Sequence, residues 1–342
     1  MVDRKFNCSD LIRWSGWNQC LLFRADDGGI DESGSNLGSR MGCGKRGLPL
    51  AVFMRNWKKI IASALAALLA SAAVSLSAAP KKLKFSDVNT KFAANLELWF
   101  GKKTPMPEKV RMAHDLGFDA VEFWPFWQRD VDGIHAKCQE LNMKVTQFTA
   151  WGAPLGGGDN IDEFEAQIKD AIKAAKKLGA KKFTVTGHRV VKGSDLSHEE
   201  QITNYTKAIK RVAPLCEAAG VMLIIEPFNP INHGMNLLNG SQIAVKICRE
   251  IDSPAIKINW DFYHMQLSEG GLVHYLEKGF DQVGYLQLAD TKGRFQPGTG
   301  ELNYKFILKA AFDLGYRGYV GVECKVQGTP EEAVQQLLRN AY

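Results

Sequence analysis

The chain has 342 residues, of which 45% are hydrophobic, and it carries 43 Lys and Arg against 37 Asp and Glu. Most of the resulting charge of +6 lies near the N-terminus, because residues 81–342 contain 33 basic and 31 acidic side chains. A nucleic-acid-binding surface is typically marked by clustered Lys and Arg. The near-neutral charge of residues 81–342 therefore argues against nucleic acid as a partner.

A secretory signal peptide is predicted at residues 54–79. Arg55, Lys58 and Lys59 precede an uncharged stretch rich in Ala and Leu, which ends in the small residues Ser-Ala-Ala. A basic region followed by an apolar region and small residues is typical of a cleaved signal. A membrane anchor is the alternative, because the uncharged stretch is close to the ~18 residues that can mark a membrane span. We expect export to the periplasm or secretion, with no stable membrane span after processing.

The predicted signal divides the chain into a leader and one domain. Residues 1–53 show no sustained helix or strand periodicity. A signal peptide belongs at an N-terminus, so we interpret residues 1–53 as mis-assigned upstream sequence or a disordered leader. Residues 80–342 are sufficient for a (β/α)8 barrel, which typically needs ~250 residues. This part has four widely spaced cysteines, predicted to be free thiols: Cys138, Cys216, Cys248 and Cys324.

From residue 92 onward, strand-like runs alternate with amphipathic helical patterns. The eight predicted strands are 92–98, 119–124, 144–150, 181–187, 221–227, 256–262, 283–290 and 319–325. Several helical patterns end in Leu-Gly or Ala-Gly, which suits a left-handed helix C-cap. Strands that alternate with helices predict a parallel sheet. Eight such units in ~250 residues favour a closed (β/α)8 barrel, the TIM barrel, over a doubly wound sheet.

An oxygen-donor side chain stands at the C-terminal end of each of four successive predicted strands: Glu226, Asp261, Gln287 and Glu323. In a (β/α)8 barrel the C-terminal strand ends surround one cavity, where catalytic groups converge. Three carboxylates in one cavity would repel each other unless a cation lay between them. Oxygen donors are the ligands preferred by Mg²⁺ and Mn²⁺. The pattern predicts a metal-assisted enzyme that acts on a small, oxygen-rich substrate.

Strand alternation predicts which other side chains point into the barrel. If Asp261 points inward, so do Asn259 and Lys257. An inward Lys257 near the barrel floor would need a partner, because an unpaired buried charge is costly. Glu122, on the second predicted strand, could form this ion pair, and a role for Glu122 in the pocket is the open alternative.

The segments IEPFN, INWDFYHMQ, YLQLAD, GRFQPGTGELNY and GYVGVEC resemble the hydroxypyruvate isomerase family. That family belongs to the xylose-isomerase-like barrel superfamily, which includes ketose 3-epimerases, and the resemblance covers roughly residues 90–340. It implies that Glu226, Asp261, Gln287 and Glu323 are the metal ligands. It also implies that Glu226 and Glu323 are the paired proton donor and acceptor. Ketose epimerases usually have His where this chain has Gln287. The hydroxypyruvate isomerase branch resembles this chain in having Gln at that position.

The implied chemistry agrees with the residue types. Isomerisation of an α-hydroxy ketone requires removal of a proton next to a carbonyl, and a divalent cation stabilises the resulting enediolate as a Lewis acid. One carboxylate removes the proton and the other returns it to the neighbouring carbon. We expect a small keto acid or sugar as substrate. An exported ketose 3-epimerase, a keto-sugar lyase and a non-catalytic sugar-binding barrel are alternatives, and homo-oligomerisation is left open.

Three further residues are candidates for binding the substrate. His264 follows Asp261 by three residues and is interpreted as a hydrogen-bond donor. His188, at the end of the fourth predicted strand, is a second candidate. Arg294, in the glycine-rich loop after the seventh, could hold a carboxylate or hydroxyl group, or could be solvated. Four tryptophans near strand ends could form an aromatic wall or pack in the core: Trp99, Trp124, Trp127 and Trp151.

Overall fold

The computed structural model describes Trp57, residues 61–65 and residues 81–342. The predicted leader, and most of the predicted signal peptide at 54–79, lie outside the described residues. Residues 81–342 lie within one compact unit. In the described part of the chain, no helix has both the length and the apolar character that crossing a membrane requires.

Eight parallel strands form a closed barrel in chain order, and the last strand pairs with the first. The strands are β1 (Lys91–Asn95), β2 (Ala120–Phe123), β3 (Lys144–Trp151), β4 (Lys182–Val185), β5 (Met222–Ile225), β6 (Ile256–Asp261), β7 (Val283–Gln287) and β8 (Tyr319–Val322). The predicted (β/α)8 barrel is therefore confirmed. Most strands are shorter than predicted, because the apolar runs continue past the last ladder hydrogen bond into the loops at the barrel mouth.

Each strand is followed by at least one α-helix. The helices are α1 (Met106–Asp115), α2 (Val131–Glu140), α3 (Ile161–Leu178), α4 (His198–Ala219), α5 (Ser241–Ile251), α6 (Phe262–Ser268), α7 (Leu272–Gly279), α8 (Tyr304–Asp313) and α9 (Pro330–Arg339). The predicted capping box of α9 is present, since the Thr329 hydroxyl accepts from the backbone N–H of Glu332 and the Glu332 carboxylate accepts in return. Gly179 and Gly220 cap α3 and α4 in the left-handed conformation.

The hydrophobic core lies between the barrel and its helices, and the four cysteines are buried free thiols, as predicted. Inside the barrel, however, the side chains are largely polar. We call the hydrogen-bonded set there the interior polar network; its members are Asn95, Glu122, Gln147, Thr184, Asn259 and Gln287.

Glu122 lies at the centre of the interior polar network and is fully buried. Its carboxylate accepts hydrogen bonds from Asn95 (3.0 Å), Gln147 (3.2 Å) and Gln287 (2.8 Å). The expected ion pair with Lys257 is wrong, because Lys257 Nζ donates to the Asp281 carbonyl and to Gln282 at the other end of its strand. Glu122 contacts the cavity through Gln147 and Gln287, which line it, and is not itself part of the lining.

Candidate active site

The four oxygen-donor side chains converge at the C-terminal mouth of the barrel. Asp261 and Gln287 are the last residues of β6 and β7 and lie opposite each other in the ladder. Glu226 and Glu323 directly follow β5 and β8. All four are buried. Because the barrel is closed, strand ends that are far apart in the sequence surround one cavity.

The cavity at this mouth has a volume of about 310 Å³. Glu226, Gln287 and Glu323 form part of its lining, together with His264 and Arg294. Most of the remaining lining is aromatic or weakly polar: Trp124, Pro125, Trp127, Gln147, Thr149, Gly152, Thr186, Phe228 and His233. The cavity thus combines an ionic floor with an apolar wall, an arrangement common in small-molecule sites.

Burial and mutual repulsion raise the pKa of the carboxyl groups at the floor. Burial is the largest cause for Glu226, whose pKa lies well above its usual range, and the charges of Glu323 and Asp261 raise it further. Burial raises the pKa of Asp261 to about 7, although Arg294 opposes the shift. Burial also raises the pKa of Glu323, against the opposing charge of Arg294 and a hydrogen bond from Gln287. The site is therefore short of positive charge when all its acids are ionised.

Arg294 supplies the one permanent positive charge among the described residues that line the cavity. Its guanidinium is hydrogen-bonded to the Glu323 carboxylate, lies 3.4 Å from Asp261 Oδ2, and rests over the Tyr263 ring at 5.0 Å. Burial lowers the pKa of Arg294, but the neighbouring carboxylates outweigh this effect and raise it above its usual range. Arg294 is thus an ion-paired residue of the floor, not the solvated side chain of the alternative interpretation.

The loop that carries Arg294 is organised around Asp290. The Asp290 carboxylate accepts four backbone N–H bonds, from Thr291, Gly298, Gly300 and Leu302, at 2.9–3.1 Å. A side chain at Gly300 would collide with the Thr291 carbonyl, which explains why glycine is required there. The glycine-rich PGTGEL stretch therefore winds tightly around one carboxylate and fixes the start of the loop that projects Arg294.

Asp261 has two roles at the start of α6. Its Oδ1 accepts from the Tyr263 backbone N–H at 2.9 Å and caps the helix. Its Oδ2 lies 3.4 Å from Arg294 and 3.5 Å from His264 Nε2. One oxygen thus holds the side chain in place and the other faces the charged floor.

The Asn229 side chain sets the protonation of the His264 ring. Asn229 Oδ1 accepts from the backbone N–H groups of Ile231 (3.0 Å) and Asn232 (3.1 Å), so its amide N–H₂ must face His264 Nδ1, at 2.7 Å. His264 Nδ1 therefore accepts, and the neutral ring carries its proton on Nε2. Burial lowers the pKa of His264 well below its usual value, which favours this neutral form.

His264 Nε2 is buried and has no hydrogen-bond partner, at 3.7 Å from Glu226 Oε1 and 3.5 Å from Asp261 Oδ2. It is therefore a donor that points toward the floor. A metal-bound histidine normally donates from its other ring nitrogen, whereas the other nitrogen of His264 accepts. This pattern favours the predicted role as a donor to substrate over a role as metal ligand.

The two remaining histidines near the cavity have different positions. His188 does not line the cavity; its Nε2 lies 2.7 Å from the Glu226 carbonyl oxygen, so it supports the residue that follows β5. His233, which the sequence reasoning missed, lines the cavity and packs between Phe228 (ring centroids 4.3 Å apart) and His264 (4.8 Å). Its only sequence signal was its position in the loop after β5.

The four tryptophans divide into two pairs. Trp99 and Trp151 are buried, and their indole N–H groups donate to the Val322 and Ala153 carbonyls at 2.9 and 2.6 Å. Trp124 and Trp127 line the cavity. Each of the two interpretations left open by the sequence is therefore correct for one pair.

Two of the four predicted ligands lie in a cluster that could hold a divalent cation. One oxygen each from Glu226 and Asp261 lies within 4.8 Å of the other and of a His264 ring nitrogen, whereas Glu323 is not part of this cluster. Gln287 donates its amide hydrogens to Glu122 and Glu323, while its oxygen accepts one bond, from Asn259, so a second lone pair remains. All four predicted ligands are oxygen donors, and the raised carboxyl pKa values mark a shortage of positive charge that such an ion would relieve.

Comparison with known proteins identifies similar chains over this region. A family model described as "Xylose isomerase-like TIM barrel" matches residues 110–341. The hydroxypyruvate isomerase of Escherichia coli (strain K12) is 29% identical over 255 residues, which is 72% of this chain and 98% of that protein. The 2-oxo-tetronate isomerase of Pectobacterium atrosepticum is 27% identical over 254 residues, which is 71% of this chain and 95% of that protein.

Solved structures with the same fold are more distant in sequence. An AP endonuclease, family 2, from Brucella melitensis superimposes with a TM-score of 0.68 at 24% identity, over 74% of this chain and 100% of its own. A 3-keto-D-glucoside 4-epimerase from E. coli superimposes with a TM-score of 0.62 at 22% identity, over 73% of this chain and 98% of its own. At these identities the structures support the fold alone.

Proposed function

Because this chain belongs to the xylose isomerase-like TIM barrel family, we propose that it isomerises a small α-hydroxy ketone, either a keto acid or a sugar, through an enediolate. The curated relatives named above are isomerases, and the chain is an isomerase of this barrel family. The proposed enediolate mechanism rests on the position of Glu226 and Glu323, which are two buried carboxyl groups that line the same cavity.

Glu226, Asp261, Gln287 and Glu323 would hold a divalent cation, Mg²⁺ or Mn²⁺. Their hard oxygen donors favour these ions. When bound, the ion would act as a Lewis acid toward the substrate oxygens. Glu122 and Asn259 support this role, because their hydrogen bonds fix the amide plane of Gln287.

Glu226 and Glu323 would move the proton. One carboxylate removes the hydrogen from the carbon that bears the hydroxyl group, and the other carboxyl group delivers a proton to the neighbouring carbonyl carbon, while the hydroxyl proton passes to the former carbonyl oxygen. Glu323 is held by Arg294 and by the Gln287 amide, and both contacts oppose the rise in its pKa that burial causes. An amide is no base near neutral pH, so Gln287 cannot replace either glutamate.

His264 and Arg294 would orient the substrate. The Nε2–H of His264 is the unpartnered donor at the cavity floor and would donate to a substrate oxygen. Arg294 lies beside Glu323 and would contact a hydroxyl or carbonyl oxygen without giving up its ion pair. We assign His188 to positioning Glu226 through its bond to the Glu226 carbonyl oxygen.

A ketose 3-epimerase is the second candidate. It would use the same pair of carboxylates to remove and return the hydrogen at one carbon, and the aromatic wall at Trp124 and Trp127 suits a sugar. A keto-sugar lyase would share the proton abstraction step. Solvent-hydrogen exchange into substrate tests the abstraction common to all three, and product analysis separates them.

Replacing each glutamate by glutamine tests the proposal. Glu226→Gln and Glu323→Gln keep an oxygen donor but remove the base, so each should retain substantial cation binding and lose at least ~10²-fold in turnover. Gln287→Ala should instead weaken cation binding and be partly rescued by excess Mn²⁺ or Mg²⁺. Three quantities are measured for each variant: turnover, cation binding by isothermal titration, and deuterium exchange from solvent into substrate.

One of the two variants is expected to exchange deuterium into unreacted substrate in one direction of reaction, because its abstracting carboxylate survives. Glu301→Gln is a suitable control, since Glu301 lies in the loop after β7 and does not line the cavity. Parent-like turnover by both Glu226→Gln and Glu323→Gln would contradict the paired-glutamate mechanism.

A further inference from the structure

The N-terminal end of the barrel, opposite the cavity, carries a group of lysines. Lys91, Lys144 and Lys182 are the first residues of β1, β3 and β4, and Lys257 is the second residue of β6. Because all strands of a closed parallel barrel begin at the same end, these lysines lie around one opening. Within the part of the chain that the structure describes, none of the four forms an ion pair.

Lys182 differs from the others because its side chain points into the barrel. It precedes Thr184 by two positions, and Thr184 belongs to the interior polar network, so strand alternation directs Lys182 inward as well. Its Nζ lies 5.5 Å from the centre of the Tyr285 ring. Tyr285 belongs to β7, and its hydroxyl lies 2.9 Å from Thr146 Oγ1 on β3. The ring therefore spans the barrel interior, and the Lys182 ammonium lies beside it.

The Lys182 ammonium has no acceptor. Lys144 donates to the Tyr319 hydroxyl at 3.2 Å, and Lys257 donates to the Gln282 side-chain oxygen at 3.0 Å. Lys182 is half-buried and makes no hydrogen bond to any residue that the structure describes. Burial lowers its pKa. A ring face attracts an ammonium but accepts none of its three N–H groups in an ordinary hydrogen bond, so these donors are left for solvent or a ligand.

A groove gives access to this ammonium from outside the barrel. It has a volume of about 410 Å³, lies at the N-terminal ends of β4 and β5, and is lined by Lys182 together with a second lysine, Lys181. The acid in its lining is Glu217, whose carboxylate accepts a hydrogen bond from Ser253 Oγ. The remaining lining has no charged side chain: Cys216, Gly220, Val221, Met222, Pro254 and Ala255.

An oxyanion fits this environment. A partly buried ammonium without a partner is costly, and an acceptor with the opposite charge would relieve that cost. Hydrogen bonds from an ammonium to an oxyanion are roughly twice as strong as those between neutral groups. Lys181 adds a second positive charge to the same groove. A phosphate or sulfate ion supplies both negative charge and several acceptor oxygens.

From the unpartnered inward ammonium and the groove that reaches it, we propose that the N-terminal end of the barrel is a second, non-catalytic site for a small oxyanion of the phosphate or sulfate class. Lys182 is its central contact, and Lys181 lies beside it. A free ion is favoured over a lipid headgroup, because Lys182 lies inside the barrel and not on its outer surface. The site does not rest on the proposed isomerisation, whose residues Glu226 and Glu323 lie at the opposite end of the barrel.

Calorimetric titration with inorganic phosphate and with sulfate tests the site. With the ionic strength held constant by sodium chloride, we expect saturable binding with a Kd of ~1 mM or below. Lys182→Met should weaken this binding at least ~10-fold, because it replaces the ammonium by an apolar group. Lys91→Met is the matched control, since it removes the same charge from the first residue of β1, outside the groove, and it should keep the parent affinity.

Two results of the titration would overturn the proposal. One is the absence of saturable binding of either ion up to ~10 mM. The other is equal weakening by Lys182→Met and Lys91→Met, which would mean that the ions respond to the general charge of this end of the barrel. Unchanged deuterium exchange into substrate in Lys182→Met is expected in either case, so this test is separate from that of the proposed function.

Thermal unfolding provides an independent measurement. Lys182→Met should raise the melting temperature of the ion-free protein, because an apolar side chain replaces an unpartnered, half-buried charge. Phosphate should raise the melting temperature of the parent and of Lys91→Met, since it binds the folded state, and should have a smaller effect on Lys182→Met. The same increase in all three proteins would indicate a general salt effect and would contradict a site at Lys182.

Vesicles that contain phosphatidylglycerol distinguish a free ion from a membrane surface. We expect the protein to remain in solution when such vesicles are sedimented, at an ionic strength where exposed charges are largely screened. Sedimentation with the vesicles that is lost in Lys182→Met, without binding of free phosphate or sulfate, would overturn the proposal in favour of a lipid headgroup.

Discussion

At the scale of single residues, the contact between Asn229 and His264 decides which ring nitrogen can donate at the cavity floor. Two backbone N–H groups hold the Asn229 oxygen, so its amide can only donate to His264 Nδ1. The proton of the neutral ring must then lie on Nε2. A hydrogen-bond donor aimed at the reacting oxygens is thus fixed by a residue that does not itself line the cavity.

Asn229→Asp should reverse this arrangement. The new carboxylate keeps the two backbone bonds but accepts from His264 Nδ1, which moves the ring proton away from Nε2. We expect turnover to fall by about 10²-fold, the effect of losing one donor to a developing oxyanion, with little change in folding. Nitrogen NMR of His264 reports the tautomer, and steady-state kinetics report the loss.

Asn232→Asp is the matched control for this substitution. Asn232 lies in the same loop and donates to the Tyr263 hydroxyl at 2.6 Å, so the variant adds the same charge without touching His264. It should retain most of the parent turnover. Equal losses in the two variants would show that added negative charge, and not the tautomer, causes the effect.

At the scale of secondary-structure elements, β8 must approach β2 closely enough to enclose Glu122. A side chain at Gly321 of β8 would collide with the Glu122 carboxylate, whose position is set by three hydrogen bonds from other strands. A glycine within this strand therefore makes room for a buried acid. Burial, with a further contribution from Glu323, raises the pKa of Glu122 to about 7.

Gly321→Ala should overpack the barrel interior and destabilise the protein by about 1–3 kcal/mol, which thermal unfolding can measure. Gly152→Ala is the control, because the nearest atom to its new methyl group would be Thr186 Oγ1 at 3.6 Å, an ordinary contact. That variant should keep the parent stability to within about 1 kcal/mol. Matching stability of the two variants would mean that Glu122 can move aside freely.

At the scale of the whole molecule, the buried acids couple stability to pH and to cation binding. The folded-state pKa values of Asp261 and Glu122 are raised to about 7, so the folded protein binds more protons than the unfolded chain between about pH 4 and pH 7. These groups therefore contribute stability at low pH that is lost as the pH rises through about 7. A divalent cation would replace the protons and restore the balance.

Chelation should abolish activity, and Mn²⁺ or Mg²⁺ should restore it. In the metal-free protein, the contribution of the buried acids should lower the melting temperature as the pH rises from ~5 to ~8. Added cation should raise the melting temperature more at ~pH 8 than at ~pH 5, and Glu122→Gln should reduce the pH dependence. Full activity in protein shown by elemental analysis to lack metal, or a cation effect that is larger at low pH, would contradict this prediction.

The predicted signal peptide also belongs to this scale, since it would direct export of the barrel. We propose that residues 1–79 are absent from the mature protein, because residues 54–79 have the order of basic, apolar and small residues of a signal peptide. N-terminal sequencing of the protein from its native host should find a start near residue 80. A mature chain that begins at residue 1 would contradict both the signal peptide and the predicted export.

The sequence by itself determined the barrel and the four strand ends that carry Glu226, Asp261, Gln287 and Glu323. Hydrophobic periodicity and the alternation of strands with helices are local properties, and the topology of a closed parallel barrel brings successive strand ends together. Strand alternation likewise predicted an inward Asn259, which contacts Gln287 at 2.6 Å.

Only the tertiary structure decided how these groups are supported. One of the three partners of Glu122 is Gln287, 165 residues away, and the expected Lys257 is not among them. Contacts across a barrel depend on its closure and not on strand order. Packing between distant segments, which no local pattern encodes, decided three further features in the same way. It placed Trp127 and not Trp151 in the cavity wall, positioned Arg294 on a loop wound around Asp290, and set the tautomer of His264.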